Sequence, residues 1–334
     1  MQYQHRLDGK HSITTQAMPF LSNDEIIEAL YGSILKREPD PDGRKNYDVR
    51  LQAGATLEEL ISEFVGCDEF NAIRSANNPI DYAAVGLKDA TRAGWYSAKT
   101  AELCTGFPIA ATDSVADVGC GDGGNSIFCA RHASMIIAVD IDPQCVATTE
   151  RRLQAESKTG YRALLSDGST LPIETKTIDK IICTEVLEHV DSPNEFMSEL
   201  VRIGKPGSMY LLTVPDALSE QVLKRVAAPS AFQKPNHIHV FSRTDFDTLV
   251  HEAGLEILDH KYRSFYWAVW TALAWKCGGL NGKHPVLDHW ATAWAELLES
   301  PGGQACKEAL DLAMPKSQAI IARKKPGPTG EVKG

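Results

Sequence analysis

The chain has 334 residues, 43% of them apolar, so it can bury the core of one large domain together with a small one. Its formal net charge is −10, and no basic stripe interrupts the acidic balance, which argues against a nucleic-acid substrate. The eight cysteines include no CxxC pair and several lie in apolar runs, which indicates free thiols and a cytoplasmic protein.

The first predicted elements are helices. Residues 1–21 are expected to form a flexible leader, and they lack the apolar run of a secretory signal. A helix is predicted to begin at Ser22 or Asn23, either of which can cap it, because apolar residues recur at helical spacing in the stretch that follows. Arg37 to Gly43 is rich in Pro and Asp and predicts a turn. Further amphipathic helices complete a small helical domain over 22–77.

This helical segment resembles the DUF4214 family, which is related to phycobilisome linker repeats. The matching residues are Leu30-Tyr31, Leu35-Lys-Arg37, Pro39-Asp-Pro-Asp-Gly43, Leu51-Gln-Ala-Gly54 and Glu69-Phe70. Where the family usually has Trp after the Gly, this chain has Tyr47. The resemblance implies an accessory role in which the domain binds a protein partner. A helical cap on the next domain is the alternative.

Short apolar runs then alternate with helical stretches. The predicted strands are Val115–Val118, Met135–Val139, Leu164–Ser166, Ile178–Cys183, Met209–Val214, Leu255–Tyr262 and Ala319–Ala322. This alternation predicts an α/β fold with a doubly wound, mostly parallel, seven-stranded sheet of Rossmann-like type. The domain is expected over 78–325, with a helix carrying Trp95 and Tyr96 before the first strand and a disordered tail over 326–334.

A glycine-rich loop follows the first of these strands. Gly119, Gly121 and Gly124 satisfy the GxGxxG pattern, whose glycines let the backbone turn sharply and approach a ligand. Asp140 ends the next strand, where a carboxylate can accept two ribose hydroxyls. The loop alone would also fit a dinucleotide. Asp117, two residues before the first glycine, would repel a pyrophosphate but can accept from the ammonium of an amino acid.

With these residues the chain resembles class I S-adenosylmethionine (SAM)-dependent methyltransferases of the Methyltransf_11/UbiG-like kind. The matching motifs are Asp117-Val-Gly-Cys-Gly-Asp-Gly123, Val139-Asp140, Asp167-Gly-Ser-Thr-Leu-Pro172, Ile178-Asp-Lys-Ile-Ile182, Glu185-Val-Leu-Glu-His189 and Lys205-Pro-Gly207. The resemblance implies a SAM site whose methionine end is bordered by Asp117, Gly119, Gly121 and Gly123, with Asp140 at the ribose and Asp167 and Gly168 at the adenine. Cys120, Ile141 and Glu185 are assigned to the same site.

Glu185, Glu188 and His189 follow the fourth strand at spacings that converge on one side of a helical turn. Together with a downstream histidine they resemble the divalent-metal site of UbiG/Coq3-type O-methyltransferases and of Hen1. Matching the downstream pattern selects His237, with His239 as runner-up. Glu185, Glu188, His189 and His237 are therefore candidate ligands of Mg²⁺ or Mn²⁺, and Glu188, His189 and His237 are candidate catalytic residues. Alternatively, Glu185 lines the cofactor site and His189 is a general base or bonds to backbone.

An aromatic insertion over 264–298 holds most of the tryptophans. It can wall an acceptor pocket, pack as a helical hairpin on the sheet, or touch a membrane surface. Its apolar stretch, Phe265 to Leu280, is too short for a spanning helix, so no stable membrane insertion is expected.

The sequence thus predicts a SAM-dependent methyltransferase that methylates a hydroxyl of a small molecule or saccharide, with or without a divalent metal. The saccharide rests on a loose resemblance of the C-terminal half to surface-polysaccharide methyltransferases. The rival interpretations are an NAD-dependent oxidoreductase and a non-catalytic scaffold with a degenerate SAM domain.

Overall fold

The structure is a computed structural model that describes residues 22–70, 80–157, 159–280 and 283–326. The chain divides into two compact units, Met1–Pro79 and Ile80–Gly334, which are described separately below. The predicted leader lies outside the described residues, as does the predicted tail beyond Pro326. The domain limits proposed from the sequence stay predictions.

Helices alone form the described part of the first unit. They are α1 (Asn23–Leu30), a π-helical turn (Tyr31–Leu35), α2 (Pro41–Gln52) and α3 (Leu57–Gly66). Ser22 caps α1 through a reciprocal capping box with Glu25, as one of the two predicted caps. The buried core of the unit consists of Ile27, Leu30, Tyr31, Leu35, Leu60 and Phe64.

The turn predicted over Arg37 to Gly43 is wrong in its second half. Asp40 caps α2 and Pro41 is its first residue, because proline has a φ suited to the first helical turn and lacks the N–H that would be left unpaired there. Gly43 lies where a Cβ would overlap the hydroxyl of Tyr31, so the glycine lets α2 pack closely on the π-helical turn.

The second unit begins with α4 (Tyr82–Arg92) and a small antiparallel sheet. Its three strands are β1 (Trp95–Ser97), β2 (Glu102–Cys104) and β3 (Phe107–Pro108). Trp95 and Tyr96 therefore lie on a strand, and the helix predicted for them is wrong. Gly94, at φ 81°, reverses the chain just after α4 and ends the helix before it reaches them.

The main sheet has seven strands. They are β4 (Ser114–Val118), β5 (Met135–Asp140), β6 (Gly160–Leu165), β7 (Ile178–Thr184), β8 (Gly204–Pro215), β9 (Leu255–Arg263) and β10 (Ser317–Lys324). Their order is β6-β5-β4-β7-β8-β10-β9, and only β10 runs antiparallel to its neighbours. The doubly wound, mostly parallel sheet predicted from the sequence is confirmed.

Helices cover both faces of this sheet. They are α5 (Gly124–Ala130), α6 (Pro143–Glu156), α7 (Pro193–Ile203), α8 (Ala217–Val226) and α9 (Arg243–Glu252). Successive side chains of β4 point to opposite faces, so Val115 joins one apolar core and Ala116 joins the other. The strand order reverses at β4, which is paired with β5 on one side and β7 on the other. Ligands of such sheets bind beyond the carboxyl ends of the strands at this point.

The aromatic insertion forms α10 (Phe265–Lys276) and α11 (Pro285–Glu299), followed by α12 (Gly303–Ala313). Tyr266, Trp270 and Trp294 are buried in a cluster that also includes Val85 of α4. The indole of Trp294 donates to Asp89 of α4 at 2.9 Å. Of the three predicted roles, the structure supports a packed helical hairpin. None of the described helices is long and apolar enough to cross a membrane.

Candidate active site

The glycine-rich loop connects β4 to α5 at the switch point of the sheet. Gly119 and Gly121 have φ values of 76° and 54°, in the left-handed region that favours glycine. A Cβ on Gly119 would overlap Val186, whereas a Cβ on Gly121 would meet nothing within 4 Å. The loop therefore packs closely against the turn after β7 and leaves open space above Gly121.

Asp140 at the end of β5 faces this loop. Its Oδ2 accepts the backbone N–H of Gly121 at 2.8 Å, and its Oδ1 accepts that of Asp142 at 2.9 Å. Each carboxylate oxygen has two lone pairs, so each can accept one further hydrogen bond. This arrangement suits a ligand with two adjacent hydroxyls.

Asp167 and Gly168 follow β6. The Oδ1 of Asp167 accepts the backbone N–H and the hydroxyl of Ser169, at 3.0 and 2.7 Å, and these hydrogen bonds lower the pKa of Asp167. The exposed carboxylate is therefore charged and held in place near neutral pH. Gly168 has a φ of 78°, and a Cβ there would overlap the ring of Phe196, which brings this backbone close to α7.

These elements surround a cavity of about 720 Å³. Seven of the predicted cofactor residues line it, namely Gly119, Gly121, Asp140, Ile141, Asp167, Gly168 and Glu185. Phe196, His189 and Pro235 also line it. The described residues of the aromatic insertion do not line it. The volume falls in the range of pockets that hold small organic cofactors.

Three predicted cofactor residues lie behind the cavity wall. Asp117 is fully buried; its Oδ2 accepts the hydroxyl of Ser126 at 2.5 Å, and burial raises its pKa to about 6. Its Oδ1 has no hydrogen-bond partner among the described residues. Cys120 is buried, and Gly123, the N-cap of α5, lies where a Cβ would crowd Thr149. Asp117 thus lies at the end of β4, and Cys120 and Gly123 are loop residues turned away from the cavity.

The segment after β7 is a turn, and the helical geometry expected for it is wrong. Glu185 has a φ of 56°, which interrupts the chain direction before a helix can start. Its Oε1 accepts the hydroxyl of Thr213 at 2.8 Å, and its Oε2 lies 3.4 Å from Nζ of Lys316. Burial raises the pKa of Glu185, but the charges of Lys316 and Arg263 outweigh it and leave the pKa below its ordinary value.

Glu188, His189 and His237 come together beside the cavity. Each contributes one ligand atom, and these three atoms lie within 4.8 Å of one another. Glu188 is 0% exposed, and neither of its oxygens has a hydrogen-bond partner among the described residues. Burial, reinforced by the charge of Glu185, raises the pKa of Glu188 well above its usual value. Glu185, directed instead at Thr213 and Lys316, does not belong to this cluster.

Both histidines of the cluster are held through Nδ1. That of His189 lies 3.0 Å from the carbonyl of Pro235, and that of His237 lies 3.0 Å from Oε2 of Glu220. A neutral imidazole beside such an acceptor carries its proton on Nδ1, so Nε2 keeps its lone pair for a ligand. His239, the runner-up, bonds through Nε2 to the carbonyl of Val190 at 2.9 Å and is not in the cluster.

Sequence reasoning missed Glu220 and Pro235. Glu220 lies in the first turn of α8, where an acidic residue is ordinary and gives no functional signal. Pro235 acts through its backbone carbonyl, which every residue has. Phe196 had a usable signal, because it lies on the apolar face of a strongly amphipathic helix next to the Asp167-Gly168 turn.

The sequence of the chain matches two known families. The model of a family described as a methyltransferase domain matches residues 92–260, and that of a domain of unknown function, DUF4214, matches residues 15–73. The first covers half of the chain, including the glycine-rich loop, the cavity and the Glu188–His189–His237 cluster.

Curated relatives include two ubiquinone biosynthesis O-methyltransferases. The mitochondrial protein of Schizosaccharomyces pombe is 30% identical over 135 residues, which are 39% of this chain and 48% of that protein. The protein of Xanthomonas oryzae pv. oryzae is 32% identical over 100 residues, which are 30% of this chain and 41% of that protein. The matches thus span about half the length of these relatives or less.

Among solved structures, a SAM-dependent methyltransferase from Mesorhizobium loti is 14% identical, with a TM-score of 0.45, covering 66% of this chain and 94% of that chain. The family matches, together with the strand order and the loop at the switch point, assign both parts of the molecule. The chain belongs to the class I SAM-dependent methyltransferase family and carries an N-terminal domain of the DUF4214 family.

Proposed function

We propose that this chain transfers the methyl group of SAM to a hydroxyl oxygen of a small molecule or saccharide, assisted by a divalent cation such as Mg²⁺ or Mn²⁺. The proposal rests on one observation. His189 lines the cofactor cavity and also belongs to the cluster with Glu188 and His237. A cation held by the cluster would therefore lie beside the cofactor, where an acceptor hydroxyl has to be placed.

The cavity has the features that SAM requires. The open space above Gly121 lets a ligand approach the loop backbone, and Asp140 offers two oxygens at the position expected for ribose hydroxyls. The charged carboxylate of Asp167 stands where an adenine amino group would donate. Ile141, which is exposed in the cavity wall, offers an apolar surface for the base.

The cluster fits a divalent cation. Two buried carboxylate oxygens without hydrogen-bond partners are costly unless a cation or a proton neutralises them. With Glu185 outside the cluster, one carboxylate and two imidazoles remain, a set that Mn²⁺ accepts and that also suits Fe²⁺ or catalytic Zn²⁺, whereas Mg²⁺ would need further oxygen ligands from water or the acceptor. Bound there, such a cation would polarise the acceptor hydroxyl and lower its pKa.

The residues of the chain then have defined tasks. The cavity lined by Gly119, Gly121 and Asp140 would hold SAM, which would supply the methyl group. The acceptor hydroxyl, made more acidic by the cation, would release its proton to water as its oxygen takes the methyl group and a neutral thioether is left. Because the sulfonium charge would be lost, positioning and the exclusion of water by the cavity walls would supply much of the rate. Glu188, His189 and His237 would hold the cation, and through it the acceptor hydroxyl, next to the cofactor.

A cation-free variant of the reaction is the second candidate. The carbonyl of Pro235 holds the proton of His189 on Nδ1, which leaves Nε2 at the cavity as a base for the hydroxyl proton. This candidate predicts full activity in EDTA, whereas the cation-assisted reaction predicts a loss that Mg²⁺ or Mn²⁺ restores.

Two measurements on the purified chain test the proposal. Calorimetry with SAM and, separately, NAD should show binding of SAM only. Binding of NAD alone would favour an oxidoreductase, and binding of neither would favour a scaffold. Transfer of radiolabelled methyl from SAM should then be screened against simple catechols and methyl glycosides, with and without EDTA. Glu188→Gln should abolish the response to Mn²⁺, while Glu296→Gln, a change on the exposed face of α11, should retain it.

A further inference from the structure

The second buried carboxylate beside the cluster is Glu220, on α8. We propose that Glu220 is a positioning residue, which fixes the ring and the tautomer of His237 so that Nε2 is the nitrogen available to a ligand. This inference rests on the proposed function for its chemical purpose. It adds a residue that neither the motif match nor the cluster itself contains.

The contact between the two side chains is direct. Oε2 of Glu220 lies 3.0 Å from Nδ1 of His237, and Glu220 is only 1% exposed. With an acceptor-only carboxylate at Nδ1, that nitrogen must carry the proton. The ring is also confined by its neighbours, since His189 lies edge-on at 5.1 Å between centroids and Phe232 at 6.4 Å. The imidazole is thus held at one end and packed on two sides.

Hydrogen bonds and an ion pair also fix the backbone just before Glu220. Asp216 caps α8 by accepting the N–H of Leu218 at 2.9 Å, and it pairs with Nε of Arg243 at 3.0 Å. The hydroxyl of Ser219 donates to the carbonyl of Asp216 at 2.9 Å. Glu220 therefore projects from a helix start that is anchored to α9, and it cannot easily withdraw from His237.

Stability alone does not explain this carboxylate. Oε1 of Glu220 is buried and has no hydrogen-bond partner among the described residues. A buried carboxylate with one of its oxygens unpaired costs free energy, even in the first turn of a helix where the backbone N–H groups favour negative charge. A carboxylate that orients a metal-binding histidine through its other nitrogen is a common arrangement, and its loss usually lowers metal affinity roughly 10- to 100-fold.

The experiment uses the full chain and reads His237 directly. Nitrogen-15 NMR of the labelled protein, free of metal, should show His237 protonated on Nδ1 in the wild type. In Glu220→Ala the proton should redistribute towards Nε2, and Glu220→Gln, whose carbonyl can still accept from Nδ1, should restore the wild-type pattern. Asp89→Asn, which changes another buried carboxylate in the α4–α11–α12 region, should leave the His237 signals unchanged. It provides the control for general loss of packing.

Binding of Mn²⁺ alone, followed by electron paramagnetic resonance, gives the second readout. We expect Glu220→Ala to weaken Mn²⁺ binding roughly 10- to 100-fold while calorimetric SAM affinity stays near that of the wild type. An unchanged His237 tautomer in a folded Glu220→Ala would overturn the inference, and so would the same change of tautomer in Glu220→Gln as in Glu220→Ala. A wild type that binds no Mn²⁺ but loses its tautomer in Glu220→Ala would refute the cation proposal alone.

Discussion

Asp140 and Glu188 are both carboxylates of the candidate site, yet their oxygens have very different surroundings. Each Asp140 oxygen accepts a backbone N–H, whereas neither Glu188 oxygen has a hydrogen-bond partner among the described residues, and Oε1 of Glu188 lies 3.7 Å from Nε2 of His189. Asp140 is partly exposed and Glu188 is fully buried. The side of the cavity at Asp140, where we propose that the nucleoside binds and which is called the nucleoside half below, therefore has its carboxylate hydrogen-bonded before a ligand arrives. The Glu188–His189–His237 cluster has a buried carboxylate without hydrogen bonds from the described residues. Mutations at Asp140 and its neighbours should mainly change the affinity for SAM. Mutations in the Glu188–His189–His237 cluster should mainly change the free energy of unfolding and the affinity for a cation.

The largest expected effect belongs to the nucleoside half. Asp140→Ala removes acceptors for two hydroxyls, each hydrogen bond to a charged group being worth about 1.5–3 kcal/mol, so SAM affinity should fall about 100-fold or more. Calorimetry measures this change, and Asp259→Ala, an exposed aspartate on β9, serves as the control. A dissociation constant for Asp140→Ala equal to that of the control would remove Asp140 from the site.

A matched glycine pair sharpens the comparison. Gly168 and Gly207 have φ values of 78° and 81°, so alanine at either position is strained by about 1 kcal/mol. Only at Gly168 would the new Cβ overlap Phe196, which should add about 1–3 kcal/mol and displace a residue of the cavity wall. Urea unfolding should show Gly168→Ala as the less stable variant, and SAM binding should weaken in it alone. Equal losses of stability in both would contradict the packing of α7 on this backbone.

Glu188→Gln tests the Glu188–His189–His237 cluster. The substitution keeps the shape and removes a buried carboxyl group whose charge has no hydrogen-bond donor, so in EDTA, at a pH high enough to ionise Glu188, the variant should be more stable than the wild type by about 1 kcal/mol. In Mn²⁺ the order should reverse, since only the wild type gains from the cation. Thermal unfolding of both proteins in EDTA and in Mn²⁺ measures the stability difference under each condition. A variant less stable than the wild type in EDTA would show that Glu188 already has a partner.

The smallest effect is the pH dependence due to Asp117. Burial raises its pKa to about 6 from 3.8, so the folded chain binds the proton more tightly than the unfolded chain does. This contribution is fully present below the unfolded value and is lost as the pH rises through the folded value, which amounts to about 1 kcal/mol between about pH 5 and pH 7. The stability difference between the wild type and Asp117→Asn, taken from urea curves, should shift by that amount. A constant difference would mean that Asp117 stays charged when buried.

The sheet, the glycine-rich loop and the position of Asp140 at a strand end were predictable because they depend on local sequence. Apolar runs, a glycine loop and a carboxylate at a strand end occupy fixed places in a doubly wound sheet. The helical geometry expected around Glu185 was wrong because the positive φ at that residue is a backbone property that its side chain does not disclose. Trp95 was misplaced for a related reason, since the helix before it ends at Gly94.

Contacts between distant segments were beyond sequence reasoning. Glu220 and His237 meet only when α8 and the loop after it fold back, and nothing in the residues around Glu220 marks it as more than a helix start. The same holds for the cluster, where the motif brought together Glu188 and His189 but the folded chain excluded Glu185.

His189 belongs to both the cavity and the cluster, and this double membership has a thermodynamic consequence. If the proposed cation and SAM both bind beside this residue, each will change the affinity of the other by the same factor. The product of methyl transfer carries no charge on its sulfur, so its repulsion of the cation would be weaker than that of SAM. The demethylated product and SAM should therefore change the affinity of the chain for the same cation by different factors.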